Sequence, residues 1–135
     1  MDAKAFGPAM DKAKAANIPV VCLFSMIPGC KTVLGFEEVA NGRQVGEYAV
    51  KLLTKKYGEA KGQVAVLLGA LGQDINKNRA GGFEEVIKQY PNIKIVAEES
   101  TGNWEPDKAV ALTENWLTAY PDLDLIYGLS DSLTV

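Results

Sequence analysis

The run Gln63-Val-Ala-Val-Leu-Leu68, followed at once by Gly69-Ala-Leu-Gly72, decides the fold class. A strand that is nearly all apolar is one covered on both faces, as in a parallel sheet. The glycines turn the chain, and Phe83, Val86, Ile87 and Tyr90 then recur at helical spacing. Downstream, Pro91-Asn92 closes that helix and Ile93 to Ala97 reads as a strand. Pro106 opens a further helix whose buried side is Ala109, Leu112, Trp116 and Leu117. Leu123 to Tyr127 is the last strand. Upstream, Val39 to Tyr57 reads as a helix with Val45, Ala49, Leu52 and Leu53 as its apolar stripe, Lys55 and Lys56 at its C-terminus and Gly58 as its stop. Thr32 to Phe36 and Ile18 to Phe24 are short strands. Phe6, Met10 and Ala13 share one face of a first helix that ends at Asn17. The alternation of strand and helix predicts an α/β, three-layer architecture: a parallel sheet with helices on both faces.

Sheets of this kind bind ligands outside the carboxyl ends of their strands. The loops to inspect are therefore 25–31, 69–78, 99–105 and 128–132. Gly69-Ala-Leu-Gly-Gln-Asp74 lies where a phosphate-cradling turn would lie, but it is neither GxGxxG nor a Walker loop, and a tight turn explains it. Arg79, just beyond, could offer a planar fork to a polyol or carboxylate, or be a solvated helix residue. Trp104 sits in a strand-to-helix loop with no periodic reason to be core. Its face could stack on the apolar side of a sugar ring, or pack beneath the loop. Trp116 fits its helix stripe and is read as core. Ser130 and Asp131 could bond a ligand or cap a following helix, and position favours the cap. Glu37-Glu38 reads as acid at a helix N-terminus rather than a paired-carboxylate site.

Composition removes whole classes of function. The 135 residues include no histidine, which excludes Ser-His-Asp and Cys-His chemistry and histidine metal ligation. The formal charge of −3, with lysines and acids interleaved, gives no footprint for nucleic acid. No apolar run approaches the ~20 residues that span a bilayer. The first residues lack the apolar core of a secretion signal, so the chain is expected to be cytosolic or the mature or truncated part of something longer. Cys22 and Cys30 do not form a CxxC pair. They are expected as two buried or half-buried thiols, although an oxidising compartment would allow them to pair. No metal or cofactor is expected.

Five segments taken together resemble a known family. Asn17-Ile-Pro-Val-Val, Val39-Ala-Asn-Gly-Arg, Asn78-Arg-Ala-Gly-Gly-Phe-Glu-Glu, Tyr90-Pro-Asn-Ile-Lys-Ile-Val and Tyr120-Pro-Asp-Leu-Asp-Leu-Ile-Tyr are similar, in order and spacing, to successive segments of ribose-type periplasmic sugar-binding proteins. That superfamily includes the effector-binding cores of LacI-type repressors. The resemblance implies two flavodoxin-like lobes that close on a ligand through hinge crossings. It implies that residues 1–36 are the last helix and strand of an N-terminal lobe up to a hinge crossing. Residues 37–135 would be a partial C-terminal ligand-binding lobe, the remaining lobe segments being absent. It carries Arg79 onto an arginine that bonds sugar hydroxyls, Trp104 onto an aromatic that stacks on the ring, and Ser130 onto a position where asparagine is usual. Phe24 and Ser25 stand where ribose binders have an Asp-Arg pair, and Phe36 where they have serine. This points away from ribose towards another sugar, a polyol or a less polar solute.

The function implied is the solute-binding component of a bacterial ABC importer, not an enzyme. Its partners would be a sugar or polyol and a membrane permease, with no nucleic acid. Its location would be the periplasm, or the cell exterior on a lipid anchor, with the signal sequence outside this chain. The alternatives are the sensing core of a LacI-type regulator and a small stand-alone flavodoxin-like enzyme or response domain.

Overall fold

The computed structural model describes residues 3–23 and 27–134, which form two compact units, residues 1–37 and 38–135. In the first unit, helix α1 (Gly7–Ala15) precedes two short parallel strands, β1 (Val21–Leu23) and β2 (Thr32–Leu34). Asn17 adopts a left-handed backbone (φ 55°) that ends the helical path, as asparagine tolerates. Phe6, Met10 and Ala13 are half-buried, as their shared face predicts. Both strands are shorter than their apolar runs suggest, and Cys22 alone is buried in β1. The expectation of two thiols is corrected: Cys22 and Cys30 form a disulfide with their Cα atoms 5.9 Å apart. The chain returns beside its own strand after β1, with the Lys31 N–H donating to the Val20 carbonyl at 2.7 Å, and this return brings Cys30 to Cys22.

The second unit is built on a three-stranded parallel sheet in the order β4-β3-β5, formed by β3 (Gly62–Leu68), β4 (Ile93–Ser100) and β5 (Leu123–Gly128). β3 is central, and its alternate side chains serve two cores. Val64, Val66 and Leu68 pack with Ala49, Leu53, Phe83, Val86 and Ile87 from α2 (Glu38–Tyr57) and α3 (Asp74–Ile87). Ala65 and Leu67 pack with Ala109 and Trp116 of α4 (Pro106–Ala119) and with Leu133. Two buried faces are why the strand reads as unbroken apolar sequence. β4 runs three residues beyond Ala97, because its pairing with β3 continues to Leu68 opposite Ser100.

Helices α2 and α3 approach very closely, through glycine. A Cβ on Gly42 would overlap the carbonyl oxygen of Arg79, and one on Gly82 would overlap that of Val39. Gly46 makes a similar approach to Val86. This corrects the apolar stripe expected of α2. Its buried positions are Gly42, Gly46, Ala49, Val50 and Leu53, while Val45 and Leu52 remain 37% and 41% exposed. A stripe counted from large side chains misses a face made of glycines. On α4, Trp116 is buried as expected, whereas Leu117 is 57% exposed.

Candidate functional site

The carboxyl ends of β3, β4 and β5 lead into three loops, 69–73, 101–105 and 129–130, and these bring the candidate side chains of the second unit to one edge of the sheet. Arg79 lies on the second turn of α3. Because α2 crosses α3 at glycine distance, the first residue of α2, Glu38, reaches the guanidinium. Arg79 Nε donates to Glu38 Oε2 at 2.5 Å and Nη2 donates to Oε1 at 3.2 Å, the two-pronged geometry that planar guanidinium favours. Nη1 donates to the Leu129 carbonyl at 2.7 Å, which ties the arginine to the end of β5 beside Ser130. Glu38 is only 10% exposed through its side chain, and Arg79 is 24% exposed. A guanidinium carries five N–H donors. Three are used, so the fork is held rigidly with one further N–H on each terminal nitrogen.

Trp104 is fixed differently. Thr101 is fully buried and anchors its loop, donating from both its N–H and its Oγ1 to the Leu68 carbonyl, at 2.8 and 2.9 Å. Three residues on, Trp104 adopts a left-handed backbone, φ 62°, which is costly for so bulky a residue. Its ring lies flat on Gly69. A Cβ there would strike Cδ2, Cε2 and Cε3 together, which places it over the benzo face. Gly69 itself keeps a negative φ, so its lack of a side chain serves the ring, whereas Gly72, at φ 86°, is the glycine the turn demands. The Trp104 Nε1–H donates to Gln73 Oε1 at 3.0 Å. Trp104 is half-buried and packs against both cores.

Ser130 precedes a single 3-10 turn, Asp131–Leu133, and its hydroxyl does not cap it. The hydroxyl donates to Asp131 Oδ1 at 3.0 Å and lies 3.1 Å from Ser132 Oγ. Asp131 also accepts the Ser132 N–H at 2.9 Å, and so holds the turn. Phe24 and Ser25 lie outside the described residues. The sequence did not mark Glu38 or Gln73 as site residues. Glu38 was read as helix-start acid, and Gln73 was legible only as part of the turn Gly69–Asp74. Among the described residues no cluster of acids and cysteines could hold a metal ion. A concavity of about 410 Å3 lies beside α3, lined in part by Gln73, Lys77, Glu84 and Glu98, and does not include Arg79, Trp104 or Ser130.

Comparison with known proteins agrees with this architecture. A model of the periplasmic binding protein domain matches residues 1–135. A xylitol-binding protein of Mycolicibacterium smegmatis is 29% identical over 136 aligned residues, covering 98% of this chain and 37% of that protein. A D-apiose import binding protein of Actinobacillus succinogenes is 30% identical, covering 94% of this chain and 40% of that protein. An ABC transporter periplasmic solute-binding protein of the same organism, solved with bound D-allose, superposes with a TM-score of 0.85 at 34% identity, over 98% of this chain and 48% of that one. The chain thus spans about two fifths of the length of the curated relatives it matches.

Proposed function

The chain belongs to the periplasmic binding protein domain family, and from that premise we propose that it is part of the solute-binding component of an ABC importer that takes a sugar or polyol between two lobes. Residues 1–36 would contribute the last helix and strand of one lobe, and residues 37–135 the first part of the other. The observation that carries this reading is the arginine at the carboxyl edge of the sheet. Its fork is locked by Glu38 and the Leu129 carbonyl, yet keeps N–H donors to spare, and an aromatic ring stands on the next loop. Fixed donors beside a flat apolar face are what a sugar needs, because each hydroxyl must recover the hydrogen bonds it loses in leaving water. Ser130 adds a hydroxyl at the same edge. The family resemblance would give Phe24 and Ser25 a part in ligand binding, and Asp131 would fix the turn that presents Ser130.

Binding would act by lobe closure, the ligand favouring the closed form through contacts that only that form makes. The protein would be a carrier and not an enzyme, with a membrane permease as the partner that reads closure. The Cys22–Cys30 disulfide supports an oxidising compartment, hence the periplasm or a lipid-anchored exterior position. No observation favours the regulator alternative.

A thermal-shift screen of the protein as its gene encodes it tests the reading. The panel is D-allose, D-apiose, D-ribose and xylitol. At least one member should raise the melting temperature, and the shift should vanish in Trp104→Ala and shrink in Arg79→Lys, which keeps charge but not the fork. A well-folded protein that responds to none of them refutes the assignment.

A further inference from the structure

We propose that Gln73 is a positioning residue for Trp104, and that through the ring it sets how well the site tells a cyclic sugar from an open-chain polyol. The inference rests on the solute-binding reading above and deepens it. Contact with Gly69 restrains the tilt of the indole, but a flat contact alone lets the ring slide and turn in its own plane. A hydrogen bond at the rim removes that freedom. The indole N–H is a donor only, so it needs an acceptor, and Gln73 Oε1 supplies one at 3.0 Å.

The backbone placement of Gln73 makes this commitment informative. Gln73 is the residue before α3, with extended φ and ψ of −84° and 134°, where a polar side chain commonly caps the helix. Its side chain makes no capping bond. The amide is turned instead to a tryptophan more than thirty positions along the chain, on a different loop. The left-handed backbone of Trp104 completes the arrangement: it is a conformation costly for so bulky a residue, kept at the place where the ring meets Gly69 and Gln73.

A pyranose or furanose presents a flat C–H face, and its stacking depends on the plane and position of the indole. An open-chain polyol has no such face and gains little from a fixed ring. Loss of the Gln73 acceptor should therefore weaken a ring sugar more than a polyol.

The experiment uses the uniformly 15N-labelled protein, its Gln73→Leu variant, which keeps the bulk and removes the acceptor, and its Gln73→Glu variant, which keeps the acceptor. Trp116 serves as an internal reference, because its Nε1–H donates to Glu99 at 3.2 Å, away from Gln73. In Gln73→Leu the Trp104 indole resonance should move upfield while that of Trp116 stays. Calorimetry should show affinity for D-allose falling roughly two- to tenfold, the worth of one hydrogen bond, with xylitol affected less. Gln73→Glu should restore both the resonance and the D-allose affinity. An unmoved Trp104 resonance, an equal loss for both ligands, or no rescue by glutamate overturns the proposal. If the unaltered protein binds no member of the thermal-shift panel, the solute-binding reading fails and takes the proposal with it. If the unaltered protein and Gln73→Leu bind alike, the proposal fails alone.

Discussion

Asp124 shows how a single residue fastens the edge of the sheet opposite the candidate site. Its carboxylate accepts from Lys56 Nζ and Tyr57 Oη, each at 2.6 Å, and from the Gln63 N–H at 2.8 Å, joining the last turn of α2 to the starts of β3 and β5. Burial by itself would raise its pKa, but the bonds from Lys56, Tyr57 and Gln63 outweigh this and hold it below the ordinary carboxylate value. A folded pKa below the unfolded one means stability that is present above the unfolded value, near pH 4, and lost as pH falls through the folded value. Acid titration followed by circular dichroism should show this loss, and Asp124→Asn should flatten the profile in that window. At neutral pH, Asp124→Ala should cost roughly 1–3 kcal/mol in a urea melt, because it strands the Gln63 N–H. Arg79 has a comparable structural duty beside the binding one proposed for it: Arg79→Ala leaves the shielded Glu38 carboxylate without its cation. That variant should lose roughly 1–3 kcal/mol of stability as well as ligand affinity, which a urea melt and calorimetry would separate.

Among the elements, the α2–α3 pair decides how Arg79 is held. Gly42 and Gly82 set the crossing distance, and that distance lets Glu38 reach Arg79. Alanine at either position should destabilise the protein by several kcal/mol and loosen the arginine, since the blocking atoms are backbone carbonyls that cannot step aside. Gly81 is the control. A Cβ there meets nothing within 4 Å, so Gly81→Ala should stabilise the helix by roughly 0.5–1 kcal/mol. Paired urea melts of Gly81→Ala and Gly82→Ala test adjacent glycines with opposite expected signs. The segments Val39-Ala-Asn-Gly-Arg and Asn78-Arg-Ala-Gly-Gly-Phe, which carried the family resemblance, are these two contact faces. Periodicity located the helices and the strands of the sheet because large side chains mark their buried faces. It misplaced the α2 stripe because a face of glycines has no hydrophobic signature, and it overextended β1 and β2 because apolar runs there are not buried in full. Arg79 and Trp104 were legible as candidates by residue type and place, Arg79 just after one loop and Trp104 within another. Their partners Glu38 and Gln73 were not, since contacts across 41 and 31 positions depend on the folded path.

On the scale of the whole molecule, large apolar side chains remain in water. Val45, Tyr48 and Leu52 form a stripe along α2 at 37%, 59% and 41% exposure, and Val110 and Leu117 stand on α4 at 51% and 57%. Exposed apolar surface of this extent favours association. The 135-residue chain by itself should therefore bind a hydrophobic dye and shift to larger species in light scattering as its concentration rises. A dye-negative monomer across that range would refute the expectation.

The disulfide between Cys22 and Cys30 spans a sequence separation of 8, and the segment it encloses contains Phe24 and Ser25. Closing so short a ring limits the unfolded chain by roughly 2–3 kcal/mol. The protein thereby keeps a chemical memory of where it matured. Chain made in a reducing cytoplasm and chain exported to an oxidising space would share every residue and differ in one bond, and a free-thiol assay would tell them apart. Recombinant material should be sorted by that assay before any affinity is compared, because two preparations of one sequence can be two different molecules.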